Sequence, residues 1–442
     1  MIRSLLIANR GEIAVRIIRT CREMGIRTVT VHSSADAGSL HTRLADQSVC
    51  IGPHDSSESY LNVRNIISAA CATRCDAIHP GVGFLSENAG FAQAVRDAGL
   101  LFVGPEAETI RLLGDKIQAR HSALKAQVPV TPGSMESIGS LKEAKRIAKE
   151  IGYPVILKAS AGGGGRGMRI VKEEQELEQA ISIASREALA FFSDGTVHME
   201  KYLTNPRHIE IQLLADGKGH VVHLGERDCS VQKNHQKLIE ESPSPIIDDH
   251  MRERMGSDAI RLFRQLGYKG AGTIEFLVQD GSYWFMEVNA RVQVEHPVTE
   301  LVSNTDIIRQ QLLVASGKSL ELPDRTTRLY GHALECRVNA LTPGKVTLFN
   351  PPLGPAVRVD THLFQGATIS PFYDSLVAKV IVHTPERQRS IDAMIRALIE
   401  FDIGGITTNI PSQLVILRSK QFRSGSFGTD LHARLFPEEK KR

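Results

Sequence analysis

The sequence predicts a protein of mixed α/β and α+β class built from three domains. Three observations carry that expectation: a strand–helix–strand opening, a glycine-dense loop between two strands, and a long run of alternating strands in the second half. At 442 residues the chain is too long for one ordinary domain and suits two or three packed units. Its 42% apolar and 23% charged content are those of a soluble globular chain.

Ser4 to Ala8 reads as the first strand. Ile13, Ala14, Ile17, Ile18, Cys21 and Met24 then recur at helical spacing, and Gly25 stands where a helix stops. Ile26 to Val31 is the next strand, so the unit implies a parallel sheet with a right-handed crossover. Its first turn carries only Gly11, and without a Gly-x-Gly-x-x-Gly pattern no dinucleotide site follows. This N-terminal parallel-sheet α/β domain is expected over 1–113.

The stretch Val128-Pro129-Val130-Thr131-Pro132-Gly133-Ser134 marks a break. After it come a helix (Leu141 to Ile151), a strand (Val155 to Lys158), the glycine loop, a strand, a helix and a strand ending near Tyr202. That compact block, about 131–203, reads as a mobile lid within a middle domain of 114–325. Alternating strands dominate between Arg207 and Val294. The last domain, 326–442, reads as mixed or antiparallel β with helices, including an amphipathic helix through Ile391, Met394, Ile395 and Leu398.

A net charge of +3 with dispersed basic residues argues against nucleic acid, and 5% aromatics leave few stacking platforms. No apolar run reaches the roughly 18 residues that span a bilayer, and the N-terminal apolar stretch is too short for a secretory signal. Six scattered cysteines fit reduced thiols in a cytoplasm.

Two stretches carry chemistry. In Lys158-Ala159-Ser160-Ala161-Gly162-Gly163-Gly164-Gly165-Arg166-Gly167-Met168-Arg169, four consecutive glycines let backbone N–H groups approach phosphate oxygens. No Gly-Lys-Ser/Thr ends the loop, so it is a flap between strands rather than a Walker loop. Further on, Thr273 to Val278 and Tyr283 to Asn289 read as a hairpin around Asp280-Gly281. A two-residue loop would put Glu275 and Glu287 on opposite faces, so metal binding predicts an odd-numbered loop. Beyond Met286, Glu287, Asn289, Arg291, Gln293 and Glu295 are expected on one face of an extended segment. Two carboxylates and an amide oxygen suit Mg²⁺ on nucleotide phosphates. An arginine and an amide suit a small oxyanion, and a glutamate suits a base.

With these motifs in place, the chain resembles the biotin carboxylase family of the ATP-grasp superfamily over essentially its whole length. The resemblance is carried by Ile7-Ala8-Asn9-Arg10-Gly11-Glu12, His79-Pro80-Gly81, Gly83-Phe84-Leu85-Ser86-Glu87-Asn88, Gly114-Asp115-Lys116, Glu226-Arg227-Asp228-Cys229-Ser230, Gln293-Val294-Glu295-His296-Pro297, Glu335-Cys336-Arg337 and Tyr373-Asp374-Ser375. It implies an ATP-grasp fold in the middle domain. It implies that Lys116 and Lys158 hold ATP phosphates under Gly164 and Gly165, with adenine against the hinge Glu200, Lys201, Tyr202 and Leu203. His208, Gln232, His235 and Gln236 resemble further nucleotide contacts. Glu275, Glu287 and Asn289 would bind two Mg²⁺ or Mn²⁺ ions. Lys237, Arg291, Gln293 and the backbone of Val294 would bind bicarbonate, Glu295 would take its proton, and Arg337 would stabilise the biotin enolate.

The implied reaction is ATP-dependent carboxylation of biotin through carboxyphosphate, the first half-reaction of a biotin-dependent carboxylase such as the acetyl-CoA carboxylase complex of fatty acid biosynthesis. The implied partners are a separate biotin carboxyl carrier protein, a carboxyltransferase subunit and a second copy in a homodimer, through the last domain and the Arg19/Glu23 helix. Val82 stands where the family usually has tyrosine, and the 341–357 segment is shorter, which places the departures on the biotin side. The rival readings are a ligase of the same fold with another acceptor, and a non-catalytic nucleotide-binding subunit. Intact Glu275, Glu287, Arg291, Glu295 and Arg337 weigh against the second, because a binding module needs no base.

Overall fold

The computed structural model describes residues 1–134, 136–159, 168–192, 194–322 and 328–438. The opening strand Ser4–Ile7 sits at the centre of a five-stranded parallel sheet. Arg27–Ser33 and Gln47–Gly52 lie to one side, Ala77–His79 and Leu101–Phe102 to the other. The helix Gly11–Glu23 that crosses over buries Ile13, Ala14, Ile17, Ile18 and Cys21, the face its spacing predicts. Gly25, at φ +68°, accepts the left-handed turn that ends it.

The lid forms its own layer. Val155–Ala159 runs antiparallel between Met168–Val171 and Val197–Lys201. Helices Leu141–Ile151 and Leu177–Phe192 cover this sheet, packing Ala144, Ile147, Ala148, Leu177 and Ala184 onto Val155, Leu157, Val171 and Met199. This core is separate from those of the rest of the chain.

Most of the remaining strands form one sheet, beside two short two-stranded pairs. Its eight antiparallel strands run in the order Ser282–Asn289, Lys269–Gln279, Arg207–Asp216, Val221–Lys233, Gln236–Ser242, His332–Asn339, Leu376–Thr384, Val357–Thr361. Gln236–Ser242 pairs directly with His332–Asn339, so the sheet continues across position 326. Side chains from the middle and last parts of the chain therefore share one surface. The amphipathic helix Arg387–Glu400 backs its far end through Ile391, Met394 and Leu398.

Several buried titratable groups tie this packing to pH. Burial holds the imidazoles of His41, His79 and His223 down at about 4, so they fold neutral. An unfolded chain protonates them below their ordinary 6.5, so their burial costs stability as pH falls from 6.5 to about 4. Burial opposes ionisation of Glu241, but His332 and Arg387 hold it at about 2. Its contribution is complete above 4.5 and is lost as pH falls from 4.5 towards 2. The thermal unfolding midpoint is expected to decline below pH 6.5 and to drop faster below 4.5. A midpoint that climbs between 6.5 and 4 would contradict neutral burial of the three histidines.

Candidate active site

The hairpin overturns one expectation and rescues the chemistry it served. Gln279 pairs with Ser282, so the loop is the two residues Asp280-Gly281, not an odd number. Both take positive φ, +51° and +73°, as the tight turn between twisted strands requires. Phe276 faces Phe285, yet Glu275 faces Glu287, because the register shifts by one between them. Met286 is the extra residue of this β-bulge, which returns both glutamates to one face. The expected extended row also ends early. The strand stops at Asn289, and the chain bends through 290–295 into the helix His296–Ser303. The bend, not strand alternation, brings Arg291, Gln293 and Glu295 round to the glutamates.

The face so formed is a row across four strands: Arg227 opposite Glu210, Glu210 opposite Glu275, and Glu275 opposite Glu287. Lys237 closes over it. Its Nζ donates to Glu210 Oε2 at 2.7 Å, Glu275 Oε1 at 2.9 Å and Glu295 Oε1 at 2.7 Å. Burial alone would lower the lysine pKa, but the three carboxylates raise it well above its ordinary value. Glu275 likewise overcomes burial and stays far below the usual carboxylate range, held by Lys237 and by His208, whose Nε2 lies 2.9 Å away. Gln232 donates to His208 Nδ1 and to the Cys229 carbonyl oxygen, both at 2.7 Å.

Glu287 differs. Burial and the neighbouring Glu275 charge push its pKa up, with Lys116 opposing. Two carboxylates facing each other form a hard oxygen pair that a divalent cation would relieve of its repulsion; Asn289 stands beside them, its amide nitrogen on Glu275 and its oxygen on Arg291. Mg²⁺ or Mn²⁺ fits this pair.

Glu295 is 2% exposed and gripped at both oxygens, by Lys237 and, at Oε2, by Arg337 at 3.0 Å. Burial works against its charge, yet Lys237, Arg337 and Arg227 bring it to about 2, so it is ionised throughout the neutral range. Arg337 also donates to Glu240 Oε1 at 2.6 Å. Arg291 donates to Glu87 Oε2 and Asn289 Oδ1, both at 2.9 Å. Asn289 and Gln293 both donate to Glu275 Oε1, at 2.9 and 2.8 Å.

At the other end, Lys116 begins the helix Lys116–Lys125 capped by Asp115. Lys158, next to last in its strand, places Nζ 2.6 Å from Glu200 Oε2, and Glu200 is held far below the usual range despite its burial. The backbone N–H groups of Lys201 and Tyr202 donate to the carbonyls of Pro132 and Pro154, and the Lys201 ammonium turns to Gly152 and Tyr153. His235 and Gln236 stand exposed at the tip of a second tight hairpin, where Asn234 and His235 both take positive φ. The site residues that the resemblance implied, Gly164 and Gly165 apart, line a single cavity of about 1200 Å³, Leu203 and Val294 among them. Gly164 and Gly165 lie outside the described residues.

Three residues were given no role from sequence, although Arg227 and Glu87 lie in the stretches that carry the resemblance. Glu210 alternates as His208-Ile209-Glu210-Ile211-Gln212, a period-two pattern that could have flagged it. Arg227 is fully buried and donates to Glu210, Gln212, Thr273, Gln293 and Thr299, a role no local pattern predicts. Glu87, from the N-terminal part, accepts from Arg291 and from the Ala290 N–H, joining two regions distant in sequence.

Comparison with known proteins bears on the whole chain. Residues 1–110 match the biotin carboxylase N-terminal domain, 115–323 the ATP-binding domain of carbamoyl-phosphate synthase L chain, and 334–434 the biotin carboxylase C-terminal domain. The chain is 51% identical over 439 residues to biotin carboxylase 1 of Bacillus subtilis, covering 97% of this chain and 98% of that one. It is 49% identical over 440 residues to biotin carboxylase of Haemophilus influenzae, covering 98% of each. A solved biotin carboxylase–nucleotide complex from Campylobacter jejuni superposes with TM-score 0.95 at 46% identity, covering 98% and 99%. The biotin carboxylase domain dimer of Hydrogenobacter thermophilus 2-oxoglutarate carboxylase, solved with MgADP and bicarbonate, gives 0.94 at 42%, covering 99% and 98%. Such likeness, unbroken through all three matched regions and shared by the backbone that carries the glutamate row, makes this chain a member of the biotin carboxylase family.

Proposed function

We propose that the cavity residues described above carry out ATP-dependent carboxylation of biotin, with bicarbonate activated as carboxyphosphate. The carrying observation is Glu295, an ionised buried carboxylate held between Lys237 and Arg337 beside two facing glutamates. Lys116 and Lys158 bind the ATP phosphates, and nucleotide binding draws Lys158 off Glu200. At the hinge, the Lys201 and Tyr202 N–H groups already have partners, so the Lys201 carbonyl and the Leu203 N–H read the adenine edge. His208, Gln232, His235 and Gln236 line the nucleotide's path.

Glu275 and Glu287, with Asn289, would hold the divalent ions, which would supply charge neutralisation on the nucleotide phosphates. Arg291, Lys237, Gln293 and the Val294 backbone grip bicarbonate. Glu295 takes its proton as the oxygen attacks the γ-phosphorus, giving ADP and carboxyphosphate. Decomposition of carboxyphosphate yields CO₂ and phosphate, and that phosphate removes the ureido proton of biotin. Arg337 stabilises the enolate that forms. The lid keeps water from the mixed anhydride.

The biotin belongs to a separate carrier protein, and the carboxyl group passes on at a carboxyltransferase subunit. The chain acts as a homodimer, Arg19 and Glu23 standing exposed on the opening helix as contact residues. Among the described residues no helix is long and apolar enough to cross a membrane. The six cysteines are free thiols, as suits a reducing compartment such as the cytoplasm.

The test is incorporation of label from bicarbonate into free biotin, requiring ATP and Mg²⁺; ATP cleavage indifferent to both bicarbonate and biotin would overturn the reading. Glu287→Gln is expected to raise the Mg²⁺ concentration for half-maximal ATP cleavage by about tenfold or more, since one hard anionic ligand is gone. Nucleotide binding without metal should be unchanged. A magnesium titration identical to wild type would remove Glu287 from the metal site.

A further inference from the structure

Beside the site, one face of the long sheet carries a charged row of which the roles above use only Arg337. Glu335 and Arg337 share a face of their strand. Glu240 lies opposite Glu335, Lys379 opposite Arg337, and Asp360 opposite Lys379. Charges this deeply buried are costly unless each meets a partner.

Lys379 is the centre of this row and has no exposed surface. Its Nζ donates to the Val294 carbonyl oxygen at 2.8 Å. It also lies 3.1 Å from Glu12 Oε2 and 4.0 Å from Asp360 Oδ2. One ammonium therefore joins the opening helix, the bend after the hairpin and the last part of the chain. Burial would discharge this lysine, but Glu12, Glu335 and Asp360 together raise its pKa above the ordinary value, so it remains a cation.

The Val294 carbonyl belongs to the planar peptide that leads into Glu295. Fixing that oxygen fixes the plane from which Glu295 leaves, and with it the short bend that carries Gln293. The flanking side chains reach two groups that are bonded to each other: Gln293 donates to Glu275, and Glu295 accepts from Lys237, which itself donates to Glu275. The bend lies outside any strand, so no sheet ladder holds it.

We propose that Lys379 is a positioning residue of the reaction, holding the Gln293–Glu295 bend in the shape that grips bicarbonate through its hydrogen bond to the Val294 carbonyl. The proposal rests on the reading of Gln293 and Val294 as the bicarbonate grip. A displacement of the bend by about 1 Å costs on the order of a hundredfold in such a site.

The experiment measures biotin-dependent ATP cleavage by the full chain, varying bicarbonate and ATP separately, for Lys379→Met, Lys379→Met/Glu12→Gln and Gln293→Ala. The double variant removes a carboxylate that the single one would strand, and so preserves folding. ADP affinity and the thermal midpoint are measured alongside. Expected is a rise of about ten- to hundredfold in the KM for bicarbonate in the double variant, with the KM for ATP and the ADP affinity within about twofold. Parallel increases in both KM values would show a merely structural role and overturn the proposal. So would an unchanged bicarbonate KM in the double variant while Gln293→Ala raises it. If Gln293→Ala itself leaves the bicarbonate KM unchanged, the grip is wrongly assigned and the positioning role falls with it.

Discussion

Glu295→Gln is expected to leave ADP binding nearly intact and to lower biotin-dependent turnover by about 10²–10⁴-fold. Glutamine keeps the shape and one acceptor oxygen, so it can still meet one of the two cations, Lys237 or Arg337, that now hold the carboxylate. It cannot accept the bicarbonate proton. Because Glu295 is held at about 2, the wild-type base is ionised across the neutral range, and the deficit should be uniform there rather than confined to one limb of the pH profile. The substitution also leaves Lys237 with two carboxylates instead of three, which it tolerates because Glu210 and Glu275 remain. ADP affinity and thermal midpoint separate lost chemistry from lost structure. Turnover equal to wild type would remove Glu295 as the base.

The second large effect is a split between two activities. Arg337→Ala is expected to cut carboxybiotin formation by about 10²–10³-fold, the loss typical of removing one donor to a developing oxyanion. ATP cleavage should fall much less. The geometry accounts for a modest fall: Arg337 touches Glu295 Oε2, so the base loses one of its two cations. It also leaves Glu240, which burial already pushes up to about 7 against the pull of Arg337, without its counter-charge. That carboxyl then folds protonated. Arg337→Lys should not restore the ratio, because one ammonium cannot reach Glu240 and Glu295 together as the guanidinium does. The measurement is carboxybiotin formed per ADP released. Equal loss of both products would contradict an enolate role.

How far the site could be read in advance varies residue by residue. Lys158 ahead of the glycines, the two glutamates of the hairpin and the residue types from Glu287 to Glu295 were visible in the sequence, but the extended row predicted for the last of these ends at Asn289. The loop count was not visible. Nothing in Tyr283-Trp284-Phe285-Met286-Glu287 announces a bulge at Met286, since a bulge is a property of the pair of strands. An odd loop and a bulged even loop give the same juxtaposition, and only the paired register tells them apart. Arg227 shows a different limit. Its five donors reach residues between 210 and 299, so its role exists only once four separate segments have packed.

The sequence by itself determined the local periodicities, the opening parallel unit, the amphipathic helices and the residue types of the chemistry. These depend on steric and solvation rules acting over a few residues. Tertiary structure alone decided the bulge that turns Glu287 toward Glu275 and the bend that swings Glu295 under Lys237. It also decided the continuation of one sheet from Gln236–Ser242 into His332–Asn339, which brings Arg337 to Glu295. Those features are contacts between segments far apart in the chain, and their registers are set by which pairings bury the most apolar surface while leaving each buried charge with a partner.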